Sequence, residues 1–274
     1  AVLDFLISYQ KESSSYEKFK LLFSQHNEHR LFYNRVITLV SFYIFGQVNF
    51  NFLIVVGNLS LGGIFFLLYK NCNEKFNDIK YFVPVSFILF NLSMWENMTF
   101  PMAVLSNYTV VFFVLLSLYF LTKDITAKNK IVISLGFFIA ALFTQGGGIF
   151  LFPISLLILI YKKEYKNLLL YTPIALLFIL LYFYGYEKPS HSEGIYETLN
   201  NYNFKIAMFF FAFLGNAFNF FMIYDNNDFS TYTTIGIGFL MFSVFLFLTI
   251  KKYYNKNIFR INYCLYHYIF IQKE

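Results

Sequence analysis

The residues best suited to chemistry stand in one short stretch of the sequence, His26-Asn27-Glu28-His29-Arg30. Glu28 could act as a general base or bind a metal, and Arg30 could hold a phosphate through two parallel hydrogen bonds. His26 and His29 are three residues apart, so on a helix they would share a face and could bind a cation or a phosphate. A water-facing polar turn at the start of a helix would contain the same residue types, and the spacing leaves both interpretations open.

Polar residues at three other places could join this cluster. Glu96 follows a tryptophan, Gln145 precedes a triple glycine at 146–148, and Gly215 and Asn216 interrupt an apolar run. Polar groups at membrane depth are costly and usually face a cavity or a site. We therefore predict that Glu96 and Gln145 bind substrate in one outward-facing cavity. The triple glycine lacks the lysine and the hydroxyl residue of a phosphate-binding loop, so its simplest role is a tight turn between two helices.

The composition indicates which elements must position these side chains. Hydrophobic residues make up 58% of the chain and charged residues 13%, against roughly 45–50% and about 25% in soluble domains. A spanning helix needs about 20 apolar residues, so there is room for about seven or eight crossings. We predict an all-α fold, a polytopic transmembrane helical bundle that forms a single membrane domain over residues 1–274. The net charge of +6 is explained by basic cytoplasmic loops rather than by binding to nucleic acid.

The residues at both ends of the sequence predict that the chain is a fragment of a longer protein. Charged residues, beginning with Asp4, come before any complete span, and residues 261–271 are too short to cross a bilayer. We therefore predict that the first transmembrane helix and the C-terminal end lie outside this sequence. Cys72 and Cys264 fall in or beside loops predicted to be cytoplasmic, where a disulfide framework is not expected.

The positions of Lys and Arg predict how the helices cross the membrane. Basic residues concentrate in four loops, at 70–80, 123–130, 162–166 and 251–260, and the connections at 94–102, 145–148 and 225–234 contain none. Basic loops face the cytoplasm, so we place the other connections on the opposite side. The predicted spans are residues 51–69, 81–93, 103–122, 131–144, 149–161, 168–186 and 235–250.

Residues 206–223 break this alternation. If they crossed the membrane, the acidic loop with Asp225 and Asp228 would be cytoplasmic and the basic loop at 251–260 would be outside, against the charge rule. We predict that this run lies along the interface or re-enters from outside, with its break at Gly215 and Asn216. An ordinary span is the alternative. Residues 187–205 then form the sizeable outer loop, which could act as a lid.

Residues 14–25 predict an amphipathic helix within the first outer loop. Phe19, Leu22 and Phe23 fall on one side and charged residues on the other, a pattern suited to the membrane surface. The polar cluster at 26–30 would then lie between this interfacial helix and the apolar run at 36–45.

Most of the chain resembles the GT-C glycosyltransferases, membrane enzymes that use polyprenyl-phosphate sugars and are related to protein mannosyltransferases and lipid A aminoarabinose transferases. Residues 26–70 resemble the first luminal loop and second span of that family, and residues 108–161 resemble the middle of its fold. The motifs are the polar cluster, an apolar run, Phe45-Gly46 and Asn49 before a span, and then Gln145 with the triple glycine, Pro153 and the pair Lys162-Lys163.

The resemblance implies transfer of a sugar from a polyprenyl-phosphate carrier to a glycan, lipid or protein acceptor on the outer face, with the bacterial plasma membrane as the expected location. It also implies that an acidic residue of the first outer loop acts as the base or as a metal-linked group. Asp4 matches that position best, and Glu28 is the next candidate. The family commonly has a proline-containing segment where this chain has the 26–30 cluster, which leaves the donor and acceptor open.

The remaining roles follow from the chemistry of transfer. Positive charge must stabilise the departing phosphate, and His26, His29 and Arg30 could supply it. A divalent cation could also take part. The competing interpretation is a multi-pass transporter or flippase, which would also need several spans and a polar cavity, although internal repeats and broken helices are not evident. A non-catalytic assembly protein would not need the polar clusters to converge.

Overall fold

The computed structural model describes residues 2–76, 82–91, 95–123, 127–189, 195–216 and 228–254. Nearly all of these residues are helical, and the strands among them form one short hairpin, so the predicted all-α fold is confirmed. The chain divides into two compact units. The first contains Ala1–Asn71 and Glu96–Pro189, and the second contains Cys72–Trp95 and Ser190–Leu265. The predicted single membrane domain stays a prediction.

The first unit begins with two short helices, a hairpin and a third helix. These are α1 (Val2–Lys11), α2 (Ser15–Phe23), β1 (Gln25–His26), β2 (His29–Arg30) and α3 (Phe32–Phe45). The amphipathic helix predicted at 14–25 is therefore present as α2, with slightly shorter bounds. Phe5 and Leu6 of α1 are buried against Leu39 of α3, and this small apolar cluster holds the N-terminal segment in place.

The connection from α3 to α4 (Phe50–Phe76) is a pair of helix caps. Gly46 ends α3 in a left-handed conformation with φ 71°, which glycine adopts without steric cost. Asn49 then accepts a hydrogen bond from the Phe52 N–H at 3.1 Å and so caps the start of α4. The Phe45-Gly46 and Asn49 motif thus has a local structural reason for its residue types.

The rest of the first unit consists of helices joined by tight connections. They are α6 (Trp95–Thr99), α7 (Pro101–Ala103), a π-helical turn (Val104–Tyr108), α8 (Thr109–Thr122), α9 (Ala127–Thr144), a 3-10 turn (Gly146–Phe150), α10 (Leu151–Tyr161) and α11 (Tyr165–Phe183). The 3-10 turn confirms the tight turn predicted for the triple glycine. A Cβ on Gly148 would lie 2.5 Å from the carbonyl oxygen of Ala141, so this close approach requires glycine.

The interior of this unit lies between α8, α9, α10 and α11. Its buried residues include Phe138 and Leu142 of α9, Leu159 of α10 and Tyr171 of α11. These side chains are shielded on every side, and burial of this kind fixes the relative positions of the helices.

Four helices among the described residues are long and apolar enough to cross a membrane, which identifies a membrane protein. They are Phe50–Asn71, Pro101–Thr122, Tyr165–Phe183 and Thr231–Leu248, and each coincides with a predicted span. The predicted spans 131–144 and 149–161 correspond to shorter apolar helices, Asn129–Thr144 and Gly146–Tyr161. Part of the predicted span 81–93 lies outside the described residues, and the rest contains α5 (Val83–Leu89). The orientation of these helices in the membrane stays a prediction.

The second unit contains α5 and a closely packed pair of helices, α12 (Ile195–Gly215) and α13 (Asp228–Tyr254). A Cβ on Gly215 would lie 2.0 Å from the Thr234 carbonyl oxygen, and one on Gly238 would lie 1.8 Å from that of Phe211. The two backbones therefore touch at these glycines.

The pair α12 and α13 adds detail to one expectation from the sequence. The predicted outer loop at 187–205 is helical from Ile195 onward, where α12 begins, and α12 is kinked at Tyr202 before its apolar residues. The predicted break at Gly215 and Asn216 coincides with the end of α12. Residues 217–223 and His191 lie outside the described residues, and the membrane placement of the 206–223 run stays a prediction.

Candidate functional site

The polar cluster at 26–30 forms a hairpin turn and not a helix. Gln25 pairs with Arg30 and His26 pairs with His29 across the two strands. Asn27 lies in the turn with φ 50°, a left-handed conformation that asparagine tolerates better than most residues. The prediction that the two histidines share a helix face is therefore wrong. They are cross-strand neighbours, and the exposed Glu28 stands at the tip of the turn.

Arg30 fastens the hairpin to the ends of two helices. Its Nε donates to the Tyr182 carbonyl at 2.6 Å, its Nη1 to the Phe23 carbonyl at 2.5 Å, and its Nη2 to the Tyr184 carbonyl. Carbonyls at helix C-termini lack partners within the helix, which makes a guanidinium a suitable cap. Three of the five N–H groups of a guanidinium are thereby engaged. The predicted phosphate contact of Arg30 stays a prediction.

Gln25 joins the hairpin to the segment after α11. Its side-chain Nε2 donates to the Glu187 carbonyl at 2.5 Å, and its Oε1 accepts from the Glu187 N–H at 2.9 Å. Neither this contact nor that of Tyr182 has a signal in the sequence, because the partners are separated by more than 150 residues.

His29 packs against the triple-glycine turn. A Cβ on Gly146 would lie 3.0 Å from His29 Nδ1 and 2.9 Å from the Tyr182 hydroxyl. His29 Nδ1 is buried and has no hydrogen-bond partner among the described residues. The half-buried Gln145 precedes this glycine. The structure thus brings two of the predicted polar groups, the hairpin and the triple-glycine turn, into contact.

A small pocket opens between α1, β1 and α3. The residues that line it include Phe5 of α1, His26 of β1, and Asn34, Arg35 and Thr38 of α3. Its free volume is about 20 Å³, which admits one group the size of a water molecule. Arg35 and Asn34 were not among the residues predicted from the sequence, because they follow the start of an apolar helix.

Arg35 is a buried cation in this pocket, with 9% of its surface exposed. Its Nη1 donates to the carbonyls of Leu21, Leu22 and Ser24 at 2.8, 3.1 and 2.5 Å. Its guanidinium also lies 5.3 Å from the centre of the Phe5 ring. Burial, together with the charge of Arg30, lowers the pKa of Arg35 to about 10. The guanidinium therefore stays charged at neutral pH.

Asn34 is the second buried polar residue of the pocket, with 3% of its surface exposed. Its Nδ2 donates to the Ser106 hydroxyl at 2.8 Å and, more weakly, to the Met102 carbonyl at 3.4 Å. Its Oδ1 has no partner within the described part of the chain. Ser106 belongs to the π-helical turn, a form of helix that is often found at functional sites.

Asp4 and His26, a residue that lines the pocket, interact through their charges. Burial lowers the pKa of His26, the nearby positive charge of Arg35 lowers it further, and Asp4 opposes the shift. The imidazole is therefore neutral at neutral pH. Asp4 is exposed on α1. The structure thus brings together the predicted residues Asp4 and His26 and adds Arg35 to them.

The other predicted site residues lie elsewhere. Glu96 is exposed on α6, and none of the described contacts joins it to the hairpin. Gly215 and Asn216 belong to the second unit. Within the described residues, no group of three or more His, Cys, Asp or Glu side chains is arranged to hold a metal ion. The participation of a divalent cation stays a prediction.

The arrangement places a neutral imidazole and a buried guanidinium in one pocket of a membrane protein, with an exposed carboxylate whose charge acts on the imidazole. Such a set can accept a proton and stabilise an anion. No protein-family model, curated protein or solved structure matches this chain.

Proposed function

We propose that the protein is a GT-C-type membrane glycosyltransferase that moves a sugar from a polyprenyl-phosphate carrier to an acceptor on the non-cytoplasmic face. The observation that carries the proposal is the pocket lined by His26 and Arg35, together with Asp4 of α1, whose charge acts on His26. Glycosyl transfer needs a base for the acceptor hydroxyl and a cation for the departing phosphate, which Asp4 and Arg35 could supply.

Asp4 is the proposed base. Its carboxylate takes the proton of the acceptor hydroxyl while that oxygen bonds to the anomeric carbon, and the bond from this carbon to the phosphate oxygen breaks. The departing phosphate gains negative charge, which a cation in the pocket stabilises. Glu28, at the exposed tip of the hairpin, is the second candidate. His29, Glu96 and Gln145 are proposed to contact the substrates.

The two N-terminal helices support a lipid-linked donor. Leu3 and Ile7 of α1 and Tyr16 and Phe19 of α2 are exposed apolar side chains, which suits helices that lie at the surface of a bilayer. The phosphate of a polyprenyl carrier lies at the same depth, so these helices would bring it beside the pocket. We place the protein in a bacterial plasma membrane.

Reconstitution in liposomes tests this proposal. The protein should release polyprenyl phosphate from a polyprenyl-phosphate sugar when an acceptor is supplied, and it should not use nucleotide sugars. Thin-layer chromatography of radiolabelled donor measures both reactions. Transfer from a nucleotide sugar without any lipid carrier would contradict the proposal. Movement of an intact lipid-linked sugar across the bilayer, with no cleavage, would favour the flippase instead.

A further inference from the structure

We infer that the pocket between α1, β1 and α3 binds a phosphate group, and that Arg35 rather than Arg30 provides the positive charge. The inference adds a phosphate-binding residue to the proposed function. It rests on that function only for which molecule supplies the phosphate. It follows from the different surroundings of two arginines that stand five positions apart.

The hydrogen bonds of Arg30 and Arg35 leave different parts of each guanidinium for a ligand. Arg30 uses all three of its nitrogens on backbone carbonyls. Arg35 makes its hydrogen bonds to carbonyls through Nη1 alone. Its Nε and Nη2 therefore remain for a ligand, and together they form an edge that binds an oxyanion through two parallel hydrogen bonds. Arg35 lines the pocket, so a ligand there can reach this side chain.

The charge of Arg35 is not balanced by a carboxylate. Within the described residues, its partners are backbone carbonyls and the Phe5 ring, and the charge that acts on it most is the positive charge of Arg30. The negative charge of Asp4 acts on His26. A buried cation without a counter-ion is costly, and a bound anion would supply the missing charge.

Asn34 identifies phosphate as the anion. The Met102 carbonyl can only accept a hydrogen bond, so the amide nitrogen of Asn34 faces it and Oδ1 is the atom without a partner. Oδ1 needs a donor. A phosphate monoester, such as the polyprenyl phosphate released by sugar transfer, has a second pKa of about 6, so near that pH a large share of it carries a P–OH donor beside ionised oxygens. Carboxylate and sulfate are fully ionised at this pH and offer no donor.

The size of the pocket suits the end of a larger group. A volume of about 20 Å³ accommodates one phosphate oxygen, so the remaining atoms of the ligand must stay at the mouth of the pocket. A lipid phosphate and free inorganic phosphate share this chemistry, and the experiment must separate them.

The test uses the protein in phosphatidylcholine nanodiscs and measures its thermal unfolding midpoint. Inorganic phosphate at pH 6.5 is one arm, and discs that contain phosphatidic acid are the other. We expect a saturable rise of the midpoint in at least one arm, and an affinity for sulfate at least about tenfold weaker than for phosphate, equivalent to about 1.4 kcal/mol. A rise with inorganic phosphate identifies a site for free phosphate, and a rise with phosphatidic acid alone identifies a lipid phosphate. No rise in either arm would overturn the inference.

Three variants assign the charge to a residue. Arg35→Gln should lose phosphate binding, although the loss of its bonds to α2 could also prevent folding. Asn34→Asp keeps the size of the side chain and places a carboxylate in the pocket that Arg35 lines, so it should weaken phosphate binding at least about tenfold by repulsion, with a cooperative ligand-free melt as the check that the variant is folded. Arg30→Gln is the matched control: its midpoint should fall while its phosphate affinity stays within about twofold of the parent.

Two results for the variants would contradict the inference: undiminished binding by Asn34→Asp, or loss of binding in Arg30→Gln with retention in Asn34→Asp. None of these measurements involves sugar transfer. A protein that binds phosphate but cannot cleave a polyprenyl-phosphate sugar would refute the proposed function and keep the phosphate site.

Discussion

Two buried polar regions of the first unit differ in how completely their hydrogen bonds are formed. In the helical interior, the Tyr171 hydroxyl donates to Ser155 Oγ at 3.1 Å, and Ser117 Oγ lies 2.8 Å from the Ser134 carbonyl and 2.9 Å from its hydroxyl. At the pocket and hairpin, His29 Nδ1 and Asn34 Oδ1 have no partner among the described residues. Buried polar groups in native proteins are nearly always satisfied, so the unsatisfied region is the one expected to receive a ligand.

The charged groups show the same contrast. Lys130 is buried and bonded to Glu164 at 2.6 Å, and Asn167 donates to the other carboxylate oxygen at 2.7 Å. Arg35 is buried to a similar degree and has only carbonyls and a ring around it. A paired charge stabilises the contact between helices, whereas a charge without a counter-ion can bind an anionic ligand. Substitutions should therefore affect stability in the first region and activity in the second.

The largest effect is expected for Asp4→Asn. This change removes the proposed base but alters neither side-chain size nor the apolar contacts of α1, so the turnover number should fall by about 100-fold or more while the thermal midpoint is retained. Sugar release from the polyprenyl donor measures the turnover number, and a thermal melt measures the unfolding midpoint. Glu17→Gln on α2 is the control and should retain full activity. Equal turnover in the two variants would remove Asp4 from the mechanism.

Lys130→Met should have the largest effect on stability. It leaves the Glu164 carboxylate partly buried without its main partner, which costs about 2–3 kcal/mol for a buried pair with some solvent access. Lys20→Met is a matched control because its pair with Glu17 is exposed, and exposed pairs contribute about 0.5 kcal/mol or less. Thermal melts in detergent compare the two. Activity per folded molecule should be unchanged in both variants. A selective loss of activity in Lys130→Met would contradict the view that this region affects stability alone.

Tyr171→Phe should have a moderate effect on stability. The change removes one hydroxyl from the fully satisfied interior and leaves Ser155 without that donor, at a cost of about 1 kcal/mol. We expect a lower unfolding midpoint and unchanged sugar transfer. A drop in turnover without a drop in the midpoint would place the interior network in the functional region.

The smallest effect is expected in mild acid. Burial alone would raise the pKa of Glu164, but hydrogen bonds from Lys130 and Asn167 outweigh it and hold the pKa below the ordinary glutamate value. Because the folded state has the lower pKa, this stabilisation is complete above the pKa of the unfolded chain and is lost as the pH falls through the folded pKa. Unfolding midpoints measured from pH 6 to pH 3 should fall more steeply in the parent than in Glu164→Gln. Parallel curves would show that this pair does not govern acid stability.

Local features were predicted well from the sequence where neighbouring residues decide the structure. The helix at 14–25 appears as α2, and the triple glycine forms a tight turn, because amphipathic periodicity and glycine act over a few positions. One prediction failed for the opposite reason. His26 and His29 are held in a hairpin that is docked on the end of α11, a contact between residues far apart in the sequence. Residues 195–205 are likewise helical in an element that packs along α13.

The sequence by itself determined that this is a helical membrane protein, because 58% hydrophobic residues arranged in long runs can only be buried by helices that satisfy their own backbone in a bilayer. It also indicated that residues 26–30 are a dense cluster of polar side chains. The tertiary structure alone decided what each polar residue does. Arg30 and Arg35 have the same chemistry and lie close in sequence, yet Arg30 binds carbonyls more than 150 residues away, whereas Arg35 lines a pocket. No local spacing encodes such partners, because they are set by how the helices pack.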